Sequence, residues 1–494
     1  MALDCPEHKQ TLHGVGHSAL SSNGLYMYSG VHAPRFKPAC SPSEEPSIPS
    51  LALFRDFRNS KHEAGQVRLP TASECAAHLE LLETFYVLRQ KVLRSKGIDD
   101  AMGVVPARET KTGVKKDTKV LKDAKLWEKR QVKWPAFVEF AVVRFLAWRR
   151  ALQTRPENQH GSAAPGPSTT GVPYLPPVDV LMVWHALMLN PHLFRSSFHE
   201  ESLYKMAMPW TKVHQLIDNK TWTLNLPIAA RASFERDTAL PDDLFNFLET
   251  WPPVEDGGLG CYSLLAAAAV PSAPRATTLS LAAAKAPNDA MLPNAKYPDI
   301  QKYIASFCRE SQDPLAVQLR DAVIRQASFV DKMNKHLWIR SPFVSDTLRR
   351  AIVRYERFLE LMRLNPGNML VPTLDIDLVW HTHQCQAHMY ARGTREMVGR
   401  FVNHDDSIAQ DTLKGGSTTT SDLWRTRYGT EYRACGCWDC EGLVSLLEKS
   451  GEVREDTEMD EIAKKVARTV IYYRAVETAR RKGVNLPKYP MEFA

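Results

Sequence analysis

The stretch PTLDIDLVWHTHQCQAHMY (372–390) follows the same frame as PPVDVLMVWHALMLNPHLF (176–194). In each copy a proline precedes an aspartate, a Val-Trp-His triplet and a closing aromatic residue. The segments AVVRF (141–145) and AIVRY (351–355) precede them within stretches of helical periodicity. The distance between the copies far exceeds the period of a solenoid. The pattern therefore predicts a duplicated helical domain.

Helical periodicity dominates the remainder of the chain. Apolar residues recur at intervals of three and four over 73–95, 137–153, 179–194 and 344–364, whereas alternating strand patterns are scarce. This predicts a mainly α protein with two tandem, duplicated helical domains and Pro/Ala-rich linkers. The expected divisions are a disordered N-terminal segment (1–65), a first helical repeat domain (66–250), a linker (251–297), a second helical repeat domain with a His/Asp/Cys cluster (298–445) and a C-terminal helix (446–494).

Composition indicates a globular protein of a reducing compartment. The 494 residues are 44% hydrophobic and 24% charged, and no apolar run reaches the length of a membrane helix. Nine cysteines, scattered except for one tight group, do not resemble a disulfide framework. The N-terminus lacks the apolar segment of a secretory signal. We expect a cytoplasmic protein, with the nucleus as the alternative, and no membrane partner.

The net charge of +7 is concentrated in residues 107–134, where lysines recur. Such a run is typical of a solvated loop and of the exposed face of a helix. Nucleic-acid binding through this segment is the weaker alternative, because no aromatic residues are interleaved with the lysines as in an RNA-binding motif.

Residues that both copies share are candidates for the scaffold. Asp179 and Asp375 stand where an N-cap carboxylate would accept hydrogen bonds from free amides. We expect Arg144 and Arg354 to pair with these aspartates across a helix interface. The shared residues of the Val-Trp-His triplets, Trp184, Trp380, His185 and His381, are expected in the core.

The second copy carries polar residues where the first is apolar. Asp377, His383 and Gln384 replace Leu181, Leu187 and Met188. Polar side chains on a half-buried helix are costly unless something compensates for their lost hydration. A metal ion, a hydrogen-bonded network or simple exposure would each compensate.

On a regular helix Asp377, His381, Gln384 and His388 form one stripe. Asp377 and His381, four residues apart, could together bind zinc or another divalent metal. His383 points away from that stripe, so the two histidines of the HTH triplet are not expected to share one ion.

Further candidate ligands follow downstream. GRFVNHDDS (399–407) supplies His404 and Asp406, and the Cys-x-Cys-x-x-Cys pattern of Cys435, Cys437 and Cys440 suits a thiolate zinc site whose fourth ligand would be His404 or His383. The His-x-Asp of 404–406 also begins the facial triad of non-haem iron oxygenases. The helical surroundings argue against that assignment, as does the absence of any later histidine.

The segments VPTLDIDLVWHTHQ, AIVRYERFL, NHDD and YGTEYRACGCWDC together resemble the GRDP-like (glycine-rich domain-containing protein-like) family over roughly residues 70–445. The resemblance implies a helical intracellular protein, similar to the fungal members without a glycine-rich tail. It implies regulatory or stress-related roles, but it supplies no reaction.

The function expected from these features is that of an interaction or regulatory protein with an unidentified protein partner and a metal or polar site in its second half. The alternative is a metal-dependent enzyme, an oxidoreductase or hydrolase such as a tailoring enzyme of fungal metabolism, that uses Asp377, His381 and His404. No nucleotide-binding loop, hydrolase elbow or zinc-protease motif supports an established enzyme class. Whether the chain is an enzyme is left open by the residues.

Overall fold

The computed structural model describes residues 36–57, 68–102, 104, 109–112, 118–121, 123–154, 172–251, 313–450 and 456–490. The predicted linker (251–297), apart from Trp251, lies outside the described residues, as does the predicted disordered segment up to residue 35. The described residues form seventeen α-helices and two short antiparallel hairpins, so the mainly α prediction is confirmed.

The first half contains helices of very different length. Its first long helix begins with a capping box, in which the Thr71 side chain accepts from the Glu74 amide and the Glu74 carboxylate accepts from the Thr71 amide. The elements in chain order are α1 (Ala72–Arg94), α2 (Lys96–Ala101), β1 (Glu109–Thr112), β2 (Thr118–Leu121), α3 (Leu126–Arg130), α4 (Lys133–Thr154), α5 (Val178–Met188), α6 (Pro191–Phe198), α7 (Ser202–Lys205), α8 (Trp210–Leu216), β3 (Ile217–Asp218), β4 (Thr223–Leu224), α9 (Ile228–Thr238) and α10 (Leu244–Glu249).

In the second half, two helices end on glycines whose positive φ suits a residue without a Cβ, Gly399 at +80° and Gly429 at +65°. The helices are α11 (Leu315–His336), α12 (Val344–Leu364), α13 (Leu374–Gln384), α14 (Ala387–Val398), α15 (Gln410–Tyr428), α16 (Trp438–Ser450) and α17 (Asp456–Arg481), and short 3-10 helices span Pro42–Glu44, Leu51–Phe57 and Trp338–Arg340. Within the described residues, none of these helices has both the length and the apolar character needed to cross a membrane.

Helices of both halves share a hydrophobic core. Helix α11, from the second half, packs against α1, α4 and α5 of the first. Buried residues such as Val183 and Val379, from the two copies of the Val-Trp-His triplet, belong to the same continuous apolar cluster. Burial of apolar surface is the main favourable contribution to folding, and here much of it depends on contact between the halves.

The structure differs from the sequence-based predictions at several boundaries. The predicted helix 179–194 is divided into α5 and α6, because Pro191 begins a new helix. Residues 36–57, within the segment predicted to be disordered, contain two 3-10 helices and bury Ile48, Leu53 and Phe54. The predicted boundary at residue 445 falls inside α16.

Equivalent aspartates and arginines of the two copies form ion pairs, as predicted. The distance from Arg144 Nε to Asp179 Oδ2 is 2.5 Å, and that from Arg354 Nε to Asp375 Oδ2 is 2.6 Å. The predicted N-cap role of the aspartates is wrong. Pro177 and Thr373 occupy the N-cap positions, and each aspartate is the second residue of its helix, where its side chain faces the arginine.

Candidate metal centre

Three potential ligand atoms converge where α13 faces the segment that follows α14. His381 Nε2 lies 3.1 Å from His404 Nε2, and Asp377 Oδ1 lies 3.3 Å from the former and 3.5 Å from the latter. Asp377 and His381 come together because they are four residues apart on α13, whereas His404 is brought in from the segment between α14 and α15. We call these three residues the Asp377 centre.

Aromatic side chains fix the two imidazoles. The Phe329 ring of α11 packs on His381 with centroids 4.3 Å apart, and the Trp380 ring meets His404 edge to face at 4.9 Å. Trp380 is itself held by Tyr390, since its indole N–H donates to the Tyr390 hydroxyl at 2.8 Å. That hydroxyl donates in turn to the carbonyl of Val402. The imidazoles are thus positioned by packing before any ion binds.

Burial and mutual charge shift the pKa values of the three residues of the Asp377 centre in different directions. Burial opposes ionisation of Asp377, but His381 and His404 outweigh it and lower the pKa of this carboxyl. Burial lowers the pKa of His381 to about 4. Burial also disfavours protonation of His404, but the Asp377 carboxylate outweighs it and raises the pKa of His404. Without an ion, Asp377 and His404 each favour the charged form of the other, whereas burial favours the neutral form of His381.

Other predicted site residues lie elsewhere. Asp406 pairs with Arg325 at 2.9 Å and accepts from the Gln326 amide at 3.1 Å, so it is not among the converging ligands. His388 is exposed on α14, because α13 ends at Gln384 and interrupts the predicted stripe.

Two further predicted site residues of α13, His383 and Gln384, are buried. His383 Nδ1 and the Tyr355 hydroxyl share a hydrogen bond of 3.0 Å. This contact agrees with the prediction that His383 points away from His381. Gln384 is fully buried, and neither amide atom has a hydrogen-bond partner among the described residues.

A buried pair of histidines, His78 and His185, lies beside the Asp377 centre. His78 was not among the residues predicted from the sequence. The Thr382 hydroxyl donates to the Leu378 carbonyl, so it accepts from His78 Nδ1 at 2.9 Å. The remaining nitrogen of neutral His78 then accepts from His185 Nε2 at 2.8 Å. The isolated histidine in the apolar helix sequence SECAAHLELL (73–82) was the available signal.

We expect this histidine pair to weaken the fold in acid. Burial, followed by the nearby His185 and His381, lowers the pKa of His78 well below its usual value, and burial lowers the pKa of His185 to about 3. Below about pH 6.5 the unfolded chain therefore binds protons that the folded chain does not, and stability is lost as pH falls. From about pH 6 to about pH 5 the loss should be about 1 kcal/mol for each histidine.

Chemical denaturation of the wild type and of a His78→Leu/His185→Leu variant at both pH values measures this contribution. The double variant should lose about 2 kcal/mol less than the wild type on acidification. His199→Gln, at an exposed position, is the matched control. Equal losses in wild type and double variant would remove the assignment.

A second group of ligand atoms lies at the start of α16. The sulfurs of Cys435, Cys437 and Cys440 lie within 4.8 Å of one another. Hydrogen bonding from Cys435 is the main cause that raises the pKa of Cys437 to about 11. The predicted fourth ligand His404 does not lie beside these sulfurs, because it belongs to the Asp377 centre. The histidine beside this loop is His336, whose Nδ1 is 3.2 Å from the Gly436 carbonyl.

Part of the chain matches a known protein family. Residues 284–393 match the family model described as Glycine-rich domain-containing protein-like, so the resemblance is confirmed over that segment. The match includes Asp377 and His381 and ends before His404 and the cysteines. It is shorter than the region over which the sequence motifs suggested a resemblance.

Two curated relatives come from Arabidopsis thaliana. Glycine-rich domain-containing protein 1 is 35% identical over 128 residues, which are 24% of this chain and 15% of the relative. Glycine-rich domain-containing protein 2 is 37% identical over 98 residues, which are 18% of this chain and 12% of the relative. The chain therefore matches less than a sixth of either relative. No solved structure matches it.

Proposed function

We propose that this chain is a helical interaction or regulatory protein that holds one divalent cation in the Asp377 centre. The observation that carries the proposal is the triangle of ligand atoms, with sides of 3.1, 3.3 and 3.5 Å. Bonds of about 2.0–2.1 Å in a tetrahedral site place neighbouring ligand atoms about 3.3 Å apart. The triangle thus has the size that a single cation requires.

The chemistry of the ligands supports a borderline metal ion. Two imidazoles and one carboxylate suit zinc, iron(II) or manganese better than calcium, which prefers oxygen ligands. Binding would displace the proton of His404, because both imidazoles must offer a lone pair. The affinity should therefore fall as the pH is lowered.

The cation would act on the fold by tethering His404 to α13. His404 lies in the segment between α14 and α15, and the described residues hold it mainly through Asp377, His381 and the Trp380 ring. We infer that occupancy adds a tether at His404 to a segment that the contacts of Val402 and Asp406 already hold on either side. The ion would thereby stabilise the surface that this segment offers to a protein partner. A cytoplasmic or nuclear location is part of this proposal, because the cysteines of the sequence do not resemble a disulfide framework.

Element analysis of the purified full chain tests the proposal. Asp377→Asn, which keeps the shape of the side chain but removes its charge, should lose one equivalent of divalent metal relative to the wild type. His404→Ala should lose the same equivalent. Metal binding should also raise the free energy of unfolding of the wild type, by about 2.7 kcal/mol when the free metal concentration is one hundred times the Kd. Its melting temperature should rise accordingly.

His185→Ala is the matched control, because His185 occupies the position in the first copy that corresponds to His381 and is equally buried. It should keep the full metal content. A folded Asp377→Asn variant that retains every equivalent of metal would overturn the proposal.

A further inference from the structure

The second cluster of ligand atoms has the size of a thiolate zinc site. In a tetrahedral site with Zn–S bonds of about 2.3 Å, the sulfurs lie about 3.8 Å apart. The three sulfurs of Cys435, Cys437 and Cys440 all lie within 4.8 Å of one another. One cation can therefore contact all three after small adjustments of their side chains.

The start of α16 places a hydrogen-bond donor and the positive end of a helix dipole beside these cysteines. Cys440 is the third residue of that helix, and its amide donates to Cys437 Sγ at 3.5 Å. The free amides and the positive end of a helix dipole stabilise negative charge in the first turn. Three thiolates this close repel one another, so a cation is needed to neutralise them together.

The loop that carries the sulfurs is fixed to the end of α11. The Trp338 indole donates to the Gly436 carbonyl at 2.6 Å, and the Trp438 indole donates to the His336 carbonyl at 2.9 Å. A Cβ at Gly436 would lie 2.8 Å from the Trp338 ring, so only glycine fits between the two cysteines without displacement. These contacts hold the cysteine-bearing loop in a fixed position against the end of α11.

We propose that Cys435, Cys437 and Cys440 bind a zinc ion and that His336 supplies the fourth ligand. His336 is half-buried, and its ring lies against Gly436, between the first two cysteines in sequence. His336 is not among the residues whose ligand atoms converge within 4.8 Å, so its side chain would have to rotate toward the sulfurs to complete the tetrahedron. Soft thiolates with one imidazole form a closed zinc site. The three thiols release their protons to solvent as the ion binds.

This ion would join the end of α11 to the start of α16. The site is independent of the Asp377 centre, because it shares no ligand with it. Its expected role is structural, since four protein ligands leave no position open for a substrate.

Cobalt(II) substitution of the full chain tests the site without any mutation. A thiolate site gives intense sulfur-to-cobalt charge-transfer absorption, which the Asp377 centre cannot give because it contains no sulfur. We expect this absorption in the wild type, its loss in Cys437→Ser/Cys440→Ser and its retention in Asp377→Asn. Element analysis should show that the cysteine variant loses one equivalent of zinc, separately from the one equivalent of divalent metal that Asp377→Asn loses at its own centre.

Cys40→Ser, which removes an exposed cysteine distant in sequence, is the matched control and should keep the zinc and the absorption. His336→Ala should keep the charge-transfer band but weaken zinc binding at least tenfold in competition with a chelator. An intact wild type that shows no charge-transfer band with cobalt would overturn the site. So would a Cys437–Cys440 disulfide, detected in freshly purified protein as a mass lower by two hydrogens. His336→Ala with unchanged affinity would remove His336 from the ligand set.

Discussion

Replacement of Arg144 by Ala is expected to destabilise the chain by about 3–5 kcal/mol, the cost of breaking a buried ion pair on one side. The side chains of Arg144 and Asp179 are 0% and 3% exposed, and Arg144 also donates to the carbonyls of Pro241 and Asp242. The substitution therefore leaves a buried carboxylate and two carbonyls without their donor. Denaturant unfolding followed by circular dichroism measures the change.

Arg354→Ala is the matched control, because the corresponding pair is partly open to solvent. Arg354 and Asp375 are 16% and 17% exposed, so water can replace part of the lost contact. We expect a clearly smaller loss than for Arg144→Ala. An Arg144→Met/Asp179→Leu variant should recover much of the stability, since no charge remains to be buried. Equal losses in the two single variants would contradict burial as the cause.

Trp380→Ala is expected to combine a loss of stability with a loss of metal affinity. Truncating a buried tryptophan leaves a cavity and costs about 3–5 kcal/mol. Trp380 also supports the His404 ring, at a centroid distance of 4.9 Å. Loss of a supporting side chain around a metal ligand typically weakens binding about 10- to 100-fold.

Trp184→Ala separates the two effects. Trp184 occupies the corresponding position of the first copy, is fully buried and packs on Trp148 with ring centroids 5.7 Å apart. It should lose a similar amount of stability, but its metal affinity should stay unchanged. Thermal unfolding and titration with a chelator as competitor give both quantities. Unchanged metal affinity in folded Trp380→Ala would show that the ring does not position His404.

The helices could be predicted from the sequence because apolar periodicity is a local property. The segment predicted as a helix at 344–364 is α12 with the same bounds. The packing of α11 against three helices of the first half could not be predicted, since periodicity reveals which face is buried and not what covers it. The two-domain division stays a prediction, although the halves share a core. The duplication also stays a prediction.

The local part of the Asp377 centre was equally accessible from sequence. Asp377 and His381 are one helical turn apart, and this spacing alone places them together. His404 was named, but nothing local distinguished it from Asp406, which the structure pairs with Arg325. His78 and His336 were missed because they reach their neighbours through contacts between α1 and α5 and between α11 and the loop before α16.

Helix α11 makes contact with both candidate metal sites. Phe329 packs on His381, and His336 lies beside the cysteine loop, about two helical turns further along. Local unfolding of this helix would therefore disturb both candidate sites at once. Each bound ion would add its own contribution to the free energy of that opening.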